Sequence, residues 1–172
     1  MKILITGATG FAGGYLLRYL SNIYGIENVQ GTGRSLSKAK ILSDEGFTIK
    51  VGDLVDPEFV NSQLKSYDLV VHCAAKSSVW GSYDSFYKAN VVATKNLLEV
   101  IHSKQQLVYI STANIYFNFQ NRRSICEDDS LPNPFNNYYV ATKYEAEQIV
   151  LAHYKEAIVT VLRPRAILGV GD

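Results

Sequence analysis

The sequence predicts an α/β fold with a doubly wound parallel sheet, and three observations carry that expectation. Short apolar runs alternate with longer helical patterns along the 172 residues, the signature of β-α-β units. Most of those runs are continuous Val/Ile/Leu stretches, as strands covered on both faces require. A glycine-rich turn, Thr6-Gly7-Ala8-Thr9-Gly10-Phe11-Ala12-Gly13, separates the first apolar run from the first helical pattern. With right-handed crossovers, about six such units give a sheet of order 3-2-1-4-5-6, the Rossmann arrangement. At this length the whole of 1–172 reads as one domain.

Taken in order, Lys2–Thr6 is the first strand. Gly10–Tyr24 follows as a helix, with Phe11, Leu16, Leu17, Leu20 and Ile23 at helical spacing. Val29–Gly33 and Phe47–Val51 read as the next two strands. Pro57-Glu58 opens a helix, Asp56 being its N-cap and Pro57 its first helical residue. Leu69–Cys73 is the fourth strand, Tyr83–Ser103 a long helical pattern, and Leu107–Ile110 the fifth strand. The connection 113–137 has no period and holds Pro132, Pro134 and Glu127-Asp128-Asp129. Segments of that length inside compact domains are usually functional or mobile. Tyr138–His153 is the last helix and Ile158–Leu162 the sixth strand. Ligands of such sheets bind outside the carboxyl ends of the strands. Functional residues are therefore expected just after Thr6, Gly33, Val51, Cys73, Ile110 and Leu162.

Bulk properties narrow the partners. Apolar residues make up 47% and charged ones 19% of the chain, an ordinary globular balance. Seventeen basic and 16 acidic residues leave a net charge of +1, so no basic field exists to hold a nucleic acid backbone. Cys73 and Cys126 have no metal-ligand spacing, no metal site is expected, and a disulfide framework is implausible. No apolar run approaches a membrane span, and Ile3-Leu4-Ile5 is too short for a signal segment. A cytoplasmic location fits. His72 reads as a core or strand-end residue; His102 and His153 read as helix-surface residues.

In the glycine turn, Gly7 permits the tight bend, Gly10 lets a pyrophosphate approach the backbone, and Gly13 lets helix and sheet pack closely. The helix N-terminus offers free N–H groups and a positive dipole end to the phosphates. The spacing T-G-x-x-G-x-x-G departs from G-x-G-x-x-G. Adenosine choice is read at the end of the second strand, where NAD sites usually place a carboxylate. Here the run is Gly31-Thr32-Gly33-Arg34-Ser35. Arg34 suits a bidentate pair with a 2′-phosphate, assisted by Lys38, so NADP is favoured, with NAD as the alternative. Asp53, after the third strand, suits the adenine amino group or a turn cap.

Tyr139-Val140-Ala141-Thr142-Lys143 places a phenol and an ammonium on one helix face. After a dinucleotide turn and the Ser111-Thr112 strand end, that pair reads as an active site. Taken singly, each residue has an ordinary alternative: helix packing for Tyr138 and Tyr139, a solvated lysine for Lys143, a strand cap for Thr112. Trp80, Tyr83, Phe86 and Tyr87 read as helix packing or a pocket wall. Arg122-Arg123 and Glu127-Asp128-Asp129 read as solvated loop charges.

These motifs occur in a fixed order: the Thr6–Gly13 turn, Gly52-Asp53-Leu54, Asp68-Leu-Val-Val-His-Cys-Ala-Ala75, Asn90-Val-Val-Ala-Thr94, Tyr109-Ile-Ser-Thr-Ala113, Tyr139-x-x-x-Lys143, and Leu162-Arg-Pro164 with Gly169. With them the chain resembles the extended short-chain dehydrogenase/reductases, which include nucleotide-sugar epimerases and dehydratases and 3β-hydroxysteroid dehydrogenase-like enzymes. The stretch Val79-Trp80-Gly81-Ser82-Tyr83 is more similar to the steroid-dehydrogenase-like branch. The resemblance implies that Tyr139 is the acid/base, that Lys143 holds the nicotinamide ribose, and that Thr112 bonds the substrate oxygen, with Ser111 as the neighbouring candidate. Ala74 and Ala75 would line the cofactor path, Pro164 would border the nicotinamide, and Asn90 would support the helix beside it. Thr9, Phe11, Ala12, Leu54 and Lys76 complete the expected cofactor set.

The chemistry explains those residue types. A free tyrosine, of pKa about 10, is a poor base at neutral pH. Bringing it to about 7 takes roughly 4 kcal/mol of differential stabilisation, expected from Lys143 and an oxidised nicotinamide. An exposed pair supplies about 1 kcal/mol or less, so a desolvated site is expected. The resemblance also implies a small-molecule substrate, sterol-like or nucleotide-sugar-like. Members of the group continue into a helical substrate lobe. Without it, the expectation is a fragment or natural truncation with exposed apolar surface, prone to form a homo-oligomer. The competing expectation is a dinucleotide-binding module, or pseudoenzyme, without turnover.

Overall fold

A computed structural model describes residues 1–78, 80–102, 104–153 and 157–169. Val79, Ser103 at the end of one helical pattern, and the terminal 170–172 lie outside the described residues. Six strands form one parallel sheet: β1 (Ile3–Thr6), β2 (Val29–Gly33), β3 (Thr48–Val51), β4 (Leu69–His72), β5 (Gln106–Ile110) and β6 (Ile158–Leu162), in the order β3-β2-β1-β4-β5-β6. Every pairing is parallel, β1 lying between β2 and β4 with Thr6 level with Thr32 and His72. The order is the expected one. It puts the switch point between β1 and β4, beside the glycine turn.

Burial follows position in the sheet. All four residues of β1 are buried, whereas the outer strand β6 alternates exposed and half-buried. Two clusters cover the faces. Ile3, Ile5, Leu17, Val29 and Leu42 pack under α1 (Phe11–Tyr24) and α2 (Leu36–Asp44). Leu4, Val70, Leu97, Leu107, Ala146 and Val150 pack under α5 (Ala93–Leu98) and α6 (Tyr138–Ala152). Helix α2 was not singled out by the sequence pattern because only Ala39 and Leu42 face inward; Ser35 starts it, its hydroxyl accepting from the Lys38 amide. In α3 (Pro57–Gln63), Asp56 accepts from the Glu58 amide at 2.9 Å, the expected cap.

The long helical pattern after Tyr83 is not one α-helix. It begins as α4 (Tyr83–Tyr87), widens into a π turn at Lys88–Val92, and resumes as α5. The 113–137 excursion opens with a 3₁₀ turn, Ala113–Tyr116. Its Ile115, Tyr116, Leu131 and Phe135 pack against Val140, Tyr139 and Tyr144 of α6.

Candidate active site

The glycine turn is shaped by main-chain contact. Gly7 has φ +70°, and a Cβ there would meet the Ala74 backbone at 2.8 Å. A Cβ on Gly13 would sit 2.3 Å from the Gly7 carbonyl oxygen, so only glycine lets α1 start this close to β1. At Gly10 a Cβ would meet only that same oxygen, at 3.2 Å, leaving the approach from the cleft open. Gly10 caps α1 without a side chain and no acid occupies the first turn, so the first amides of α1 are left for an anion. These features fit a dinucleotide pyrophosphate.

From the turn a cleft runs both ways along the carboxyl ends of the strands. One lobe, about 310 Å³, is bounded by Thr9, Gly33, Arg34, Ser35, Lys38, Asp53, Leu54 and Ala74. The other, about 330 Å³, is bounded by Phe11, Ala12, Gly13, Ser111, Tyr139, Lys143 and Pro164. Gly7, Gly10, Cys73 and Ala75 border both, so the lobes are continuous. In the first lobe Arg34 lies 3.5 Å from Asp53 with both side chains exposed. Asp53 also accepts from the Val55 amide at 3.0 Å, so it caps its own turn.

In the second lobe Lys143 is fully buried. Its ammonium donates to the Ile110 carbonyl at 2.6 Å and stands 4.0 Å over the Tyr109 ring. Burial pulls it down to about 7; the Glu147 carboxylate opposes this, and Cys73 would do so only as a thiolate, which its own burial disfavours. Tyr139 is raised above its ordinary value by burial, with the Thr112 hydroxyl acting the other way. The lowering expected from Lys143 together with an oxidised nicotinamide belongs to the cofactor-bound site; in the protein alone, burial dominates the phenol. Thr112 also accepts from the Asn114 amide at 3.2 Å, capping the 3₁₀ turn. The buried Ser111 hydroxyl has no hydrogen-bond partner.

Three candidates do not border the cleft: Thr112, buried just behind Ser111, Lys76 and Asn90. Lys76 turns away, donating to the Ser85 hydroxyl at 2.7 Å above the Phe86 ring. Asn90 is buried in the π turn. Its side-chain Oδ1 accepts from the Lys76 amide at 2.7 Å, while its Nδ2 donates to the Lys76 carbonyl and to the Thr142 hydroxyl at 3.2 and 3.0 Å. It fastens the loop after β4 to the helix bearing Tyr139. Of the aromatic candidates, Phe86 is core and Trp80 is exposed, while Tyr83 meets Tyr138 edge-on.

His72 is the centre of a buried relay. Thr94 donates to the Asn90 carbonyl at 2.6 Å, so it accepts from His72 Nε2 at 2.9 Å. Nδ1 then accepts from the Thr6 hydroxyl at 2.6 Å, and that oxygen accepts from the Ala74 amide. The directions require the neutral Nε2–H tautomer. Burial, with the Lys143 charge adding to it, pulls His72 down to about 3. It is a structural histidine.

Sequence reasoning missed Glu147 and Arg163. Glu147 is completely buried one turn beyond Lys143, and Arg163 embraces it with contacts of 2.5 to 3.2 Å. The available signal was a charge on the α6 face that also carries Val140, Ala146 and Val150.

Comparison with known proteins adds the lineage. Residues 3–172 match the model of the NAD dependent epimerase/dehydratase family. A 2-alkyl-3-oxoalkanoate reductase of Stenotrophomonas maltophilia is 38% identical, the match covering all of this chain and 52% of that protein. A decarboxylating sterol-4-alpha-carboxylate 3-dehydrogenase of Dictyostelium discoideum is 31% identical over 88% of this chain and 48% of its own length. The crystal structure of UDP-glucuronic acid 4-epimerase from Bacillus cereus, in complex with NAD, superposes with a TM-score of 0.76 at 25% identity, covering 95% of this chain and 56% of the other. The chain spans about half the length of the curated relatives it matches. Among the described residues, no helix is long and apolar enough to cross a membrane and no three His, Cys, Asp or Glu side chains are grouped as metal ligands.

Proposed function

Because the chain belongs to the NAD dependent epimerase/dehydratase family, we propose that it carries the cofactor cleft and acid/base residues of a pyridine-nucleotide oxidoreductase acting on a carbonyl or carbinol. The observation that supports this reading is the continuous cleft from the glycine turn to Tyr139, Lys143 and Ser111. When bound, the nicotinamide supplies or accepts the hydride. Phe11, Ala12 and Gly13 amides take the pyrophosphate, and Lys143 donates to the nicotinamide ribose. Thr112 holds the substrate oxygen beside Tyr139, whose hydroxyl gives or takes the proton at that oxygen. Pro164 and Ile167 border that end of the cleft.

Arg34, Ser35 and Lys38 line the adenosine lobe with no carboxylate at the end of β2, which favours NADP. The exposed Arg34–Asp53 pair is weak enough to yield its guanidinium to a 2′-phosphate. The relatives include an alkyl-oxoalkanoate reductase and a sterol-carboxylate dehydrogenase beside nucleotide-sugar dehydratases and epimerases, which supports a small-molecule substrate, sterol-like or nucleotide-sugar-like. Exposed Trp80 and Phe117, on the loops leaving β4 and β5, would suit the apolar one of these. Fluorescence titration with NADPH and NADH tests the proposal. Saturable binding, tighter for NADPH, is expected. No binding of either nucleotide discards the cofactor reading, and equal or tighter NADH binding discards the NADP preference.

A further inference from the structure

Lys143, Glu147, Arg163 and Tyr116 form a charged column beneath the second lobe. Glu147 follows Lys143 at i+4 on α6, so the two side chains are neighbours. Arg163, just past β6, pairs with the Glu147 carboxylate and also donates to the Tyr116 hydroxyl. That hydroxyl donates onward to the Glu127 carbonyl at 3.1 Å in the 113–137 excursion. Replacing a buried ion pair by apolar residues is often neutral or stabilising, so packing alone does not account for this one.

The surroundings of Lys143 show what the carboxylate does. At the end of β4, His72 is held down at about 3, and just past it Cys73 is pushed up to about 12 by burial. From β5, Tyr109 is raised by burial; from α6, so is Tyr139. All four are neutral near pH 7. Among the described residues, Glu147 is then the ionised group that favours the Lys143 ammonium, acting beside the Ile110 carbonyl and the Tyr109 ring.

We infer that Glu147, clamped by Arg163, is a positioning residue that holds Lys143 in its ammonium form and fixes the helix turn that presents it. The inference deepens the reading of Lys143 as the ribose-holding lysine. It also gives the excursion, through Tyr116 and Arg163, a mechanical link to that charge.

The test follows the Lys143 titration by NMR in the full chain labelled with ¹³C-lysine, its signal assigned by loss in Lys143→Met. Glu147→Gln is expected to move the titration at least one pH unit toward acid, a tenfold change in the dissociation constant. Glu147→Asp, which keeps the charge, should move it less than half as far. The double variant Glu147→Gln/Arg163→Met removes both buried charges, leaves neither unpaired, and should shift Lys143 in the same direction as Glu147→Gln. An unchanged titration in either folded variant overturns the inference. NADPH affinity of the same variants separates it from the cofactor reading: a shifted titration with unaltered affinity supports the inference while removing Lys143 from the ribose.

Discussion

The two lobes of the cleft are built from different materials. At the glycine turn the working surface is main chain, shaped by atoms that a single added carbon would strike: Ala74 for Gly7, the Gly7 carbonyl for Gly13. At the other end it is side chain: a buried lysine, a half-buried phenol and two hydroxyls, drawn from α6 and the turn just past β5. The first is specified by shape, in one short segment. The second is specified by burial and charge, assembled from residues far apart in sequence. A shape-built site fails by collision, whereas a charge-built site can lose its chemistry while keeping its ligand.

Tyr139→Phe presses that contrast hardest. Turnover should fall about 10²- to 10⁴-fold, roughly 3–5 kcal/mol of barrier, while NADPH affinity stays within about twofold. Parallel loss of both, seen by steady-state kinetics beside fluorescence titration, would merge the two regions into one. Gly13→Ala should do the opposite. Its Cβ, 2.3 Å from the Gly7 oxygen, forces strain of about 1–3 kcal/mol or more. Melting temperature and cofactor binding should then drop together, and an unshifted melting curve would show that the turn yields.

Arg34→Ala sharpens the adenosine side. Losing a charge-assisted hydrogen bond costs about 1.5–3 kcal/mol, so NADPH should bind about ten- to a hundredfold more weakly, with NADH unaffected. An equal loss for both nucleotides would assign Arg34 to the pyrophosphate instead. The smallest effect is on pH. His72 drops from 6.5 to about 3 on folding, so between those values the unfolded chain binds the extra proton. Its stabilising contribution is complete above about pH 6.5 and wanes as pH falls toward 3. Urea unfolding at pH 7 and pH 5 should show this decline, and His72→Gln should flatten it.

The same division governed what the sequence disclosed. The strands and their order were legible because buried parallel strands must be continuous apolar runs, and the glycine turn because its spacing is local. Asp56 could be read as a cap for the same reason. Helix α2 escaped because a helix with two inward residues leaves little periodic trace. Lys76 looked like a cofactor residue from its place after Ala75, yet its side chain bonds Ser85, a contact no spacing reveals. The raised phenol of Tyr139 was hidden for a related reason: desolvation depends on what packs above a residue. Glu147 was within reach, since a carboxylate between Val140 and Val150 on a buried helix face asks for a partner.

The π turn at Lys88–Val92 makes the helix after β4 one residue out of phase with itself. A π turn bonds i to i+5 rather than i+4, so the stripes on either side, anchored by Phe86 before it and Leu97 after it, belong to two frames offset by about 100°. Asn90 sits at the seam, where its amide can reach sideways to Lys76 and Thr142. Deleting a single residue there would restore a regular helix, realign the frames, and swing that amide away from both, unfastening the loop after β4 from α6 without altering any residue that lines the cleft.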